Sequence, residues 1–271
     1  MTIKTTLQSI GFALVLPLAS LAQAETILVQ STTSTKNSGL YDYLLPKVKA
    51  DTGLTVNVVA VGTGQAIKNA QNCDGDVLLV HAKASEEQFV NSGFGVERFD
   101  LMYNDFIVVG PANDPAGVGG SKDIASSLTA IASKKALFAS RGDDSGTHKA
   151  ELRLWKVAAT DPKQGSGDWY RETGSGMGAT LNAAVGMGAY AMTDRATWTK
   201  FGNKGDFKIH VQGDERLFNQ YGVILVNSKK CPSVKTDAGQ KFVDWLISDK
   251  GQQAIASYQV NGDQLFFPNA K

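Results

Sequence analysis

Residues 138–154 read FASRGDDSGTHKAELRL, a short apolar strand that turns through polar residues directly into a helix. Backbone N–H groups at a helix N-terminus point outward, and the helix dipole favours negative charge there. Arg141 adds a planar guanidinium that can donate to two oxygens of one oxyanion. The hydroxyls of Ser145 and Thr147 add neutral donors. This stretch therefore predicts a binding loop for a small anion.

Two further loops have the same chemistry. Residues 31–35, STTST, follow the apolar stretch TILVQ, and Gly62-Thr63-Gly64 follows TVNVVAV. Three donor-rich loops that lead from strand to helix predict a small tetrahedral anion held by many hydrogen bonds. Taken singly, each signal has a plainer interpretation. A Ser or Thr before a helix is commonly only an N-cap, and a Gly-Thr-Gly segment is commonly only a turn.

The first 24 residues predict a cleaved secretory signal peptide, so the expected location is the periplasm. They contain a single Lys4, an apolar stretch over residues 10–22 and the small-residue ending Ala22-Gln23-Ala24. The mature chain is then expected to begin at Glu25. The stretch is short for a membrane span and Pro17 interrupts it, which argues against a retained anchor.

Charge and cysteine content limit the classes of partner. The formal net charge is +1, and removing the leader with its one lysine and no acid leaves zero. A nucleic acid or an anionic membrane is therefore not an expected partner. Cys73 and Cys231 are the only cysteines, and export favours a disulfide between them over two buried thiols. Neither has a second Cys or His at ligand spacing, so a cation site is not expected.

Apolar runs and helical periodicity alternate along the mature chain. Strands are predicted over residues 26–30, 55–61, 76–81, 106–110, 137–140, 189–193, 209–212 and 222–227. Helices are predicted over residues 39–50, 85–91, 121–132, 147–158, 236–248 and 251–258. Pro46 should kink or divide the first helix. The alternation predicts an α/β fold with mainly parallel sheets, which bind ligands beyond the carboxyl ends of their strands.

Two breaks divide the chain. A Pro- and Gly-containing segment follows the apolar strand at residues 106–110, and a second break follows Asp206. If both neighbouring strands are crossings, residues 25–110 and 210–271 form lobe 1 and residues 111–209 form lobe 2. The sequence thus predicts two hinge crossings and a ligand cleft between the lobes.

The chain resembles the TupA-type tungstate-binding proteins, which are periplasmic substrate-binding proteins of ABC importers. The resemblance covers nearly the whole mature sequence and rests on STTSTKNSGL, AVGTGQAI, GDVLLVHA, SRGDDSGTHKAE, MTDRATW and LFNQYGVILVNS in this order. It implies a two-lobed, type II-like periplasmic binding protein with a tungstate oxyanion in the cleft. It also implies delivery to a membrane permease with a separate ATPase, no cofactor and no direct cation coordination.

Positions carried over from the resemblance give the expected ligand-binding residues, which are Thr32, Thr33, Ser34, Thr63, Arg141, Ser145, Gly146 and Thr147. Ser31 stands where the family often has Thr. We expect Asp143 to turn back and orient Arg141 without contacting ligand. His81, at the end of an apolar strand, is a candidate for an indirect role behind the ligand. Residues 174–178, GSGMG, are either another donor loop or a turn.

Several alternatives stay open. Tungstate and molybdate have nearly the same size and charge, so only the resemblance favours tungstate; sulfate and phosphate are further candidates. Asp144-Ser145-Gly146 is similar to a serine-hydrolase nucleophile segment. His81, His148 and His210 are scattered, however, so catalysis is not expected. Arg141-Gly142-Asp143 spells an adhesion tripeptide by chance. We expect a monomer that is not an enzyme.

Overall fold

The computed structural model describes residues 25–270, so the predicted signal peptide lies outside the described residues. The strands are β1 Thr26–Thr32, β2 Thr55–Val61, β3 Val77–Val80, β4 Gly95–Gly110, β5 Phe138–Ser140, β6 Tyr170–Glu172, β7 Tyr190–Asp194, β8 Lys208–Val211, β9 Phe218–Val226, β10 Gln259–Val260, β11 Asp263–Gln264 and β12 Phe267–Pro268. The helices are α1 Thr33–Asn37, α2 Leu40–Thr52, α3 Thr63–Gln71, α4 Lys83–Asn91, α5 Ile124–Ser133, α6 Gly146–Val157, α7 Met177–Met187, α8 Arg195–Lys200, α9 Thr236–Ile247 and α10 Asp249–Ala256.

The main sheet has two parts that share β4. In the part that we call lobe 1, the strand order is β2-β1-β3-β9-β4, with β1 parallel to both of its neighbours and β9 antiparallel to β3 and β4. In lobe 2, β5 lies parallel to β6 and β7, while β7 and β8 pair antiparallel with β4. The predicted α/β class is confirmed. The parallel strands lie on the outside of each part, and the antiparallel pairs lie where the chain crosses.

The long strand β4 carries the chain from lobe 1 to lobe 2. It pairs with β9 as far as Asp105 and with β7 from Phe106 onward. The chain returns between β8 and β9. The change of partners thus lies earlier than the boundary predicted after residue 110, because residues 106–110 form an inner strand of lobe 2. The predicted boundary at residue 210, where the chain was expected to return to lobe 1, lies inside β8, which belongs to lobe 2.

Buried side chains explain why residues 106–110 belong to lobe 2. Phe106 and Val108 pack into one hydrophobic cluster, while Ile107 and Val109 pack into another. Successive side chains of a strand point to opposite faces, so this strand is covered on both sides. Lobe 1 has a separate core that includes residues of β1, β3 and β9. Each lobe therefore has its own hydrophobic support.

Most predicted elements are present, with several differences. Helix α2 runs through Pro46 without being divided, and four of its side chains are buried. Packing of this face outweighs the hydrogen bond that proline removes. No range was predicted for the first part of β4, for β6 and β10 to β12, or for the helices α1, α3, α7 and α8. Within residues 25–270, no helix combines the length and the apolar character needed to cross a membrane.

The predicted disulfide between Cys73 and Cys231 is confirmed. Cys73 follows α3 and Cys231 follows β9, and their Cα atoms are 5.1 Å apart across a sequence separation of 158. Both cysteines lie in lobe 1. The bond therefore ties the two parts of lobe 1, which come from opposite ends of the chain, to each other.

Replacing both cysteines with Ser should lower the free energy of unfolding by about 2–4 kcal/mol, because the disulfide restricts the unfolded chain over a long loop. Denaturant titrations of the variant and the wild type measure the difference, and the wild type in reductant should behave like the variant. Labelling of two thiols in unfolded, unreduced wild type would contradict the bond.

Candidate anion-binding cleft

Helix N-termini from both lobes meet in one cleft. The backbone N–H of Gly146, in the first turn of α6, donates to Oγ1 of Thr63, the first residue of α3, at 2.9 Å. A methyl group added to Gly176, the N-cap of α7, would lie 3.7 Å from Oγ1 of Thr33 in α1. Helix α1 also contacts α8. The cleft thus brings together the three loops predicted from sequence.

Arg141 lies in this cleft with only 2% of its surface exposed. Its Nη2 donates to Oδ2 of Asp143 at 2.6 Å, and Oδ1 of Asp143 accepts the Ser145 N–H at 3.2 Å. The expected contact between Asp143 and Arg141 is therefore present. The place of Asp143 outside the ligand shell stays a prediction. Both carboxylate oxygens of Asp143 are engaged by the loop itself, which fixes the guanidinium and the turn together.

Two predicted ligand residues use their hydroxyls as helix caps. Thr32 Oγ1 accepts the Thr35 N–H at 3.3 Å, and Ser145 Oγ accepts the His148 N–H at 3.2 Å. These two side chains therefore act as N-caps, as the simpler interpretation of the sequence suggests. Their backbone N–H groups are a separate question. Within the described chain, no imidazole forms a hydrogen bond with the Ser145 hydroxyl. This geometry gives no support to a serine nucleophile.

Three polar atoms of the cleft are buried without a hydrogen-bond partner among the residues described. They are Thr33 Oγ1, Arg141 Nε and Thr147 Oγ1. An unpaired buried donor costs free energy, and a guanidinium costs more than a hydroxyl. Unpaired buried groups are rare in folded proteins and mark sites where an ion can complete the set. All three belong to the predicted binding loops.

Two helix N-termini of the cleft also lack a capping side chain. The N-caps of α3 and α7 are Gly62 and Gly176, and neither makes a side-chain cap bond. Their first N–H groups are therefore available to an anion. The N-terminus of α7 was not in the predicted site. Its only signal in the sequence is the GSGMG segment before a helix, which is equally typical of a turn.

Close approach of the lobes requires glycine at position 146. A methyl group there would lie 2.8 Å from His81 Cε1 and 3.0 Å from Thr63 Oγ1. His81 is itself buried, and its Nε2 lies 3.1 Å from Ser34 Oγ. Burial and the nearby charge of Arg141 lower the pKa of His81 to about 4. His81 is therefore a neutral hydrogen-bonding group at neutral pH.

Asp194 is a buried carboxylate that was not among the predicted site residues. It caps α8 by accepting the Thr197 N–H at 2.8 Å and the Thr197 hydroxyl at 2.7 Å. Burial raises its pKa, while the helix hydrogen bonds and the charge of Arg141 oppose the rise. Both oxygens are thus engaged by the helix. In the described part of the chain, no cluster of three His, Cys, Asp or Glu residues is placed to hold a metal cation.

Glu151 supports the Arg141 loop from within lobe 2. Its carboxylate, on α6, accepts hydrogen bonds from the Ser140 hydroxyl at 2.8 Å, Trp155 Nε1 at 3.1 Å and the Tyr170 hydroxyl at 2.7 Å. Ser140 directly precedes Arg141, so Glu151 joins the end of β5 to the helix that follows the loop. Burial raises the pKa of Glu151 to about 7.

Two α/β lobes that enclose a donor-lined cleft define the class of bilobed solute-binding proteins. A family model described as a PBP superfamily domain matches residues 19–250. The tungstate-binding protein TupA of Peptoclostridium acidaminophilum is 47% identical over 249 residues, which cover 90% of this chain and 86% of that protein.

Two solved structures agree with this match. The tungstate-binding protein TupA of Desulfovibrio alaskensis G20 is 48% identical with a TM-score of 0.78, covering 92% of this chain and 100% of that one. The tungstate ABC transporter structure from Geobacter sulfurreducens is 47% identical with a TM-score of 0.80, covering 87% of this chain and 100% of that one. The chain therefore belongs to the PBP superfamily and, within it, to the TupA-type family of ABC-transporter binding proteins. The resemblance seen in the sequence is confirmed.

Replacing Glu151 with Gln should make stability less dependent on pH. The pKa of Glu151 is higher in the folded protein than in the unfolded chain, so the folded protein holds this proton more tightly. The resulting stabilisation is complete below about pH 4.5 and is lost as pH rises through about 7. Glutamine stays neutral and shows no such loss.

Free energies of unfolding between pH 5 and pH 8 test this expectation. The difference between Glu151→Gln and the wild type should shift in favour of the variant as pH rises. Glu97→Gln, which removes an exposed carboxylate, controls for the change in net charge. A difference that does not change with pH would show that Glu151 is ionised throughout.

Proposed function

We propose that this protein is the substrate-binding component of an ABC importer that captures tungstate between its two lobes. It delivers the anion to a membrane permease driven by a separate ATPase. The observation that carries the anion assignment is the set of buried, unpaired polar atoms Arg141 Nε, Thr33 Oγ1 and Thr147 Oγ1. An oxyanion that accepts these hydrogen bonds removes the penalty of burying them.

The donor-rich cleft favours an anion without protons. Tungstate is a bare dianion at neutral pH, while phosphate largely keeps a proton that needs an acceptor when buried. The carboxylates of Asp143 and Asp194 are already engaged, because each of their oxygens accepts one hydrogen bond, from Arg141 or Ser145 in Asp143 and from Thr197 in Asp194. A proton on phosphate would have to compete with these hydrogen bonds for a carboxylate oxygen, which disfavours phosphate.

Tungstate is favoured over other proton-free anions by two arguments. Sulfate is smaller and cannot reach all donors at once. Molybdate is nearly identical in size and charge, so the preference for tungstate rests on the relatives, which carry the name tungstate-binding. We further propose a periplasmic location after removal of residues 1–24, a monomeric state, no cofactor and no enzymatic activity. These follow from the signal-peptide pattern and from the class of protein.

Competition titrations near neutral pH test the ligand assignment. Purified mature protein should bind tungstate saturably and with one-to-one stoichiometry. Sulfate and phosphate should displace it only at large excess. Element-resolved mass spectrometry on protein purified from a mixed-anion medium should find tungsten. Displacement by phosphate or sulfate at comparable concentration would show that the assignment is wrong, and turnover abolished by Ser145→Ala would reveal a hydrolase instead.

Arg141→Ala should weaken tungstate binding at least tenfold, because a hydrogen bond to a charged group contributes about 1.5–3 kcal/mol. Arg141→Lys should restore only part of the affinity, since an ammonium cannot reproduce the guanidinium fork. Calorimetry measures both constants. Arg171→Ala, which removes an exposed arginine of β6, serves as the matched control and should bind normally. Unchanged affinity in Arg141→Ala would remove Arg141 from the site.

Tungstate should favour the closed arrangement of the lobes, because donors from both lobes contribute to one cleft. Small-angle scattering of the wild type should show a more compact particle with tungstate than without it. Arg141→Ala at the same tungstate concentration should stay close to the unliganded profile. Identical wild-type profiles at saturation would mean that the cleft is already closed without ligand.

A further inference from the structure

Four buried side chains form a hydrogen-bonded row behind the anion-binding loops. Asn219 Nδ2 and Asn104 Oδ1 are 2.6 Å apart, Asn219 Oδ1 and His81 Nδ1 are 3.1 Å apart, and His81 Nε2 and Ser34 Oγ are 3.1 Å apart. The exposed fractions of all four residues are 5% or less. We call this row the His81 relay.

The His81 relay starts where the chain crosses between the lobes. Asn104 of β4 and Asn219 of β9 lie directly opposite each other in the strand pairing. The next residue pair along β4 is the last one before the strand changes partners at Phe106. The relay ends at Ser34 in α1, one of the predicted ligand residues. It therefore connects the crossing strands to the anion-binding cleft.

A neutral imidazole donates from one ring nitrogen and accepts at the other, so the relay has two possible directions. If Asn219 presents its carbonyl oxygen, His81 Nδ1 donates to it and Nε2 accepts. The Ser34 hydroxyl must then give its proton to His81. In this direction Ser34 has no proton left for an anion.

The buried amide of Asn104 favours the opposite direction. In the first direction its Nδ2, a double donor, has no partner among the described residues, which is costly for a buried amide. Turning both asparagine amides over gives one N–H of this group the Asn219 oxygen as an acceptor and leaves the Asn104 oxygen unpaired instead, which folded proteins tolerate more often than an unpaired N–H. Asn219 then donates to His81 Nδ1, and His81 Nε2–H donates to Ser34 Oγ.

The hydroxyls of Thr32 and Thr35 determine the remaining hydrogen bonds of the Ser34 hydroxyl. Thr32 Oγ1 accepts the Thr35 N–H and lies 2.7 Å from Thr35 Oγ1, so two donors from Thr35 can fill its lone pairs. Its own proton then points to Ser34 Oγ at 3.1 Å. With His81 and Thr32 both donating to it, Ser34 has both lone pairs occupied and one proton free. That proton can only be donated outside this hydroxyl cluster, toward the cleft.

We propose that His81 is a positioning residue whose proton on Nε2 fixes the Ser34 hydroxyl as a donor to the bound anion. The inference rests on the proposed function and deepens it by naming a determinant of selectivity. A Ser34 hydroxyl that can only donate suits a proton-free oxyanion. The opposite relay direction would leave an oxygen that can only accept, which suits a protonated anion such as hydrogen phosphate.

Nitrogen-15 NMR of histidine-labelled protein at neutral pH reads the relay direction. The chain has three histidines, and His81→Gln identifies which signals belong to His81. The expected state is a neutral ring with the proton on Nε2, in protein with and without tungstate. A proton on Nδ1 would overturn the proposal. Because the measurement also works on unliganded protein, it tests the relay even if tungstate is the wrong ligand.

Asn219→Asp tests the consequence for binding. A carboxylate can only accept, so it should move the neutral ring to the Nδ1–H form and turn the Ser34 proton toward His81. Tungstate affinity should then fall at least about tenfold, the loss expected for one hydrogen bond to a charged group. Affinity for phosphate relative to tungstate should rise. If the variant instead holds a doubly protonated ring, Nε2 still donates and affinity should persist.

Asn91→Asp adds the same charge at an exposed position of α4 and should leave binding and the His81 signals unchanged. Circular dichroism and unfolding curves establish that each variant is folded. The proposal fails if Asn219→Asp gives the Nδ1–H form and binds tungstate with wild-type affinity. If tungstate affinity is lost only when His81 Nε2 carries no proton, a purely structural role of His81 would not explain the loss.

Discussion

The buried positive charge of Arg141 is the constraint on which the cleft depends. A guanidinium that is only 2% exposed loses most of its hydration, and Asp143 compensates for one side of it at 2.6 Å. Helices α3, α6 and α7 add the positive ends of their dipoles nearby. The cleft therefore concentrates positive potential where the Arg141 side chain is almost inaccessible to solvent. Such an arrangement is stable only with strong support from the rest of the fold or with a bound anion.

The rest of the fold provides that support in separate parts. Each lobe has its own hydrophobic clusters, and the disulfide fixes the two chain ends of lobe 1 to each other. Glu151 holds the start of the Arg141 loop from inside lobe 2. The lobes can thus change their relative position without losing their cores. Bringing the hydrogen-bond donors together costs free energy mainly at the contact between the lobes, where a bound anion can offset that cost.

The fold was largely predictable because its signals are local. Strand β2 has the bounds that were predicted from its apolar residues, and residues 106–110 of β4 were predicted because they form a continuous apolar run. The first half of β4 was missed because Glu97, Arg98 and Asp100 interrupt its pattern. Arg98 forms a 2.6 Å ion pair with buried Glu86 of α4. Only the packing of α4 on the strand makes that charge tolerable, and no local pattern reveals it.

The site was predictable where chemistry is contained in one loop, and not where it depends on tertiary contacts. The segment around Arg141 contains a strand end, donors and a helix start in succession, so its role could be expected. The part played by α7 depends on Gly176 approaching Thr33 from the other lobe. Sequence also could not separate a capping hydroxyl, as in Thr32, from one that is unpaired, as in Thr33.

Selectivity in such a cleft depends as much on acceptors that are occupied as on donors that are free. Asp143 and Asp194 lie beside the binding loops, and either could accept the proton of a hydrogen phosphate. Asp143 is engaged by Arg141 and Ser145, while Asp194 is engaged by the first turn of α8. Each oxygen of these two carboxylates therefore already accepts one hydrogen bond within the protein. The hydrogen bonds that stabilise the loops and the start of α8 thus compete with an anion's proton for the same acceptors, so local folding and preference for a proton-free anion have a common cause.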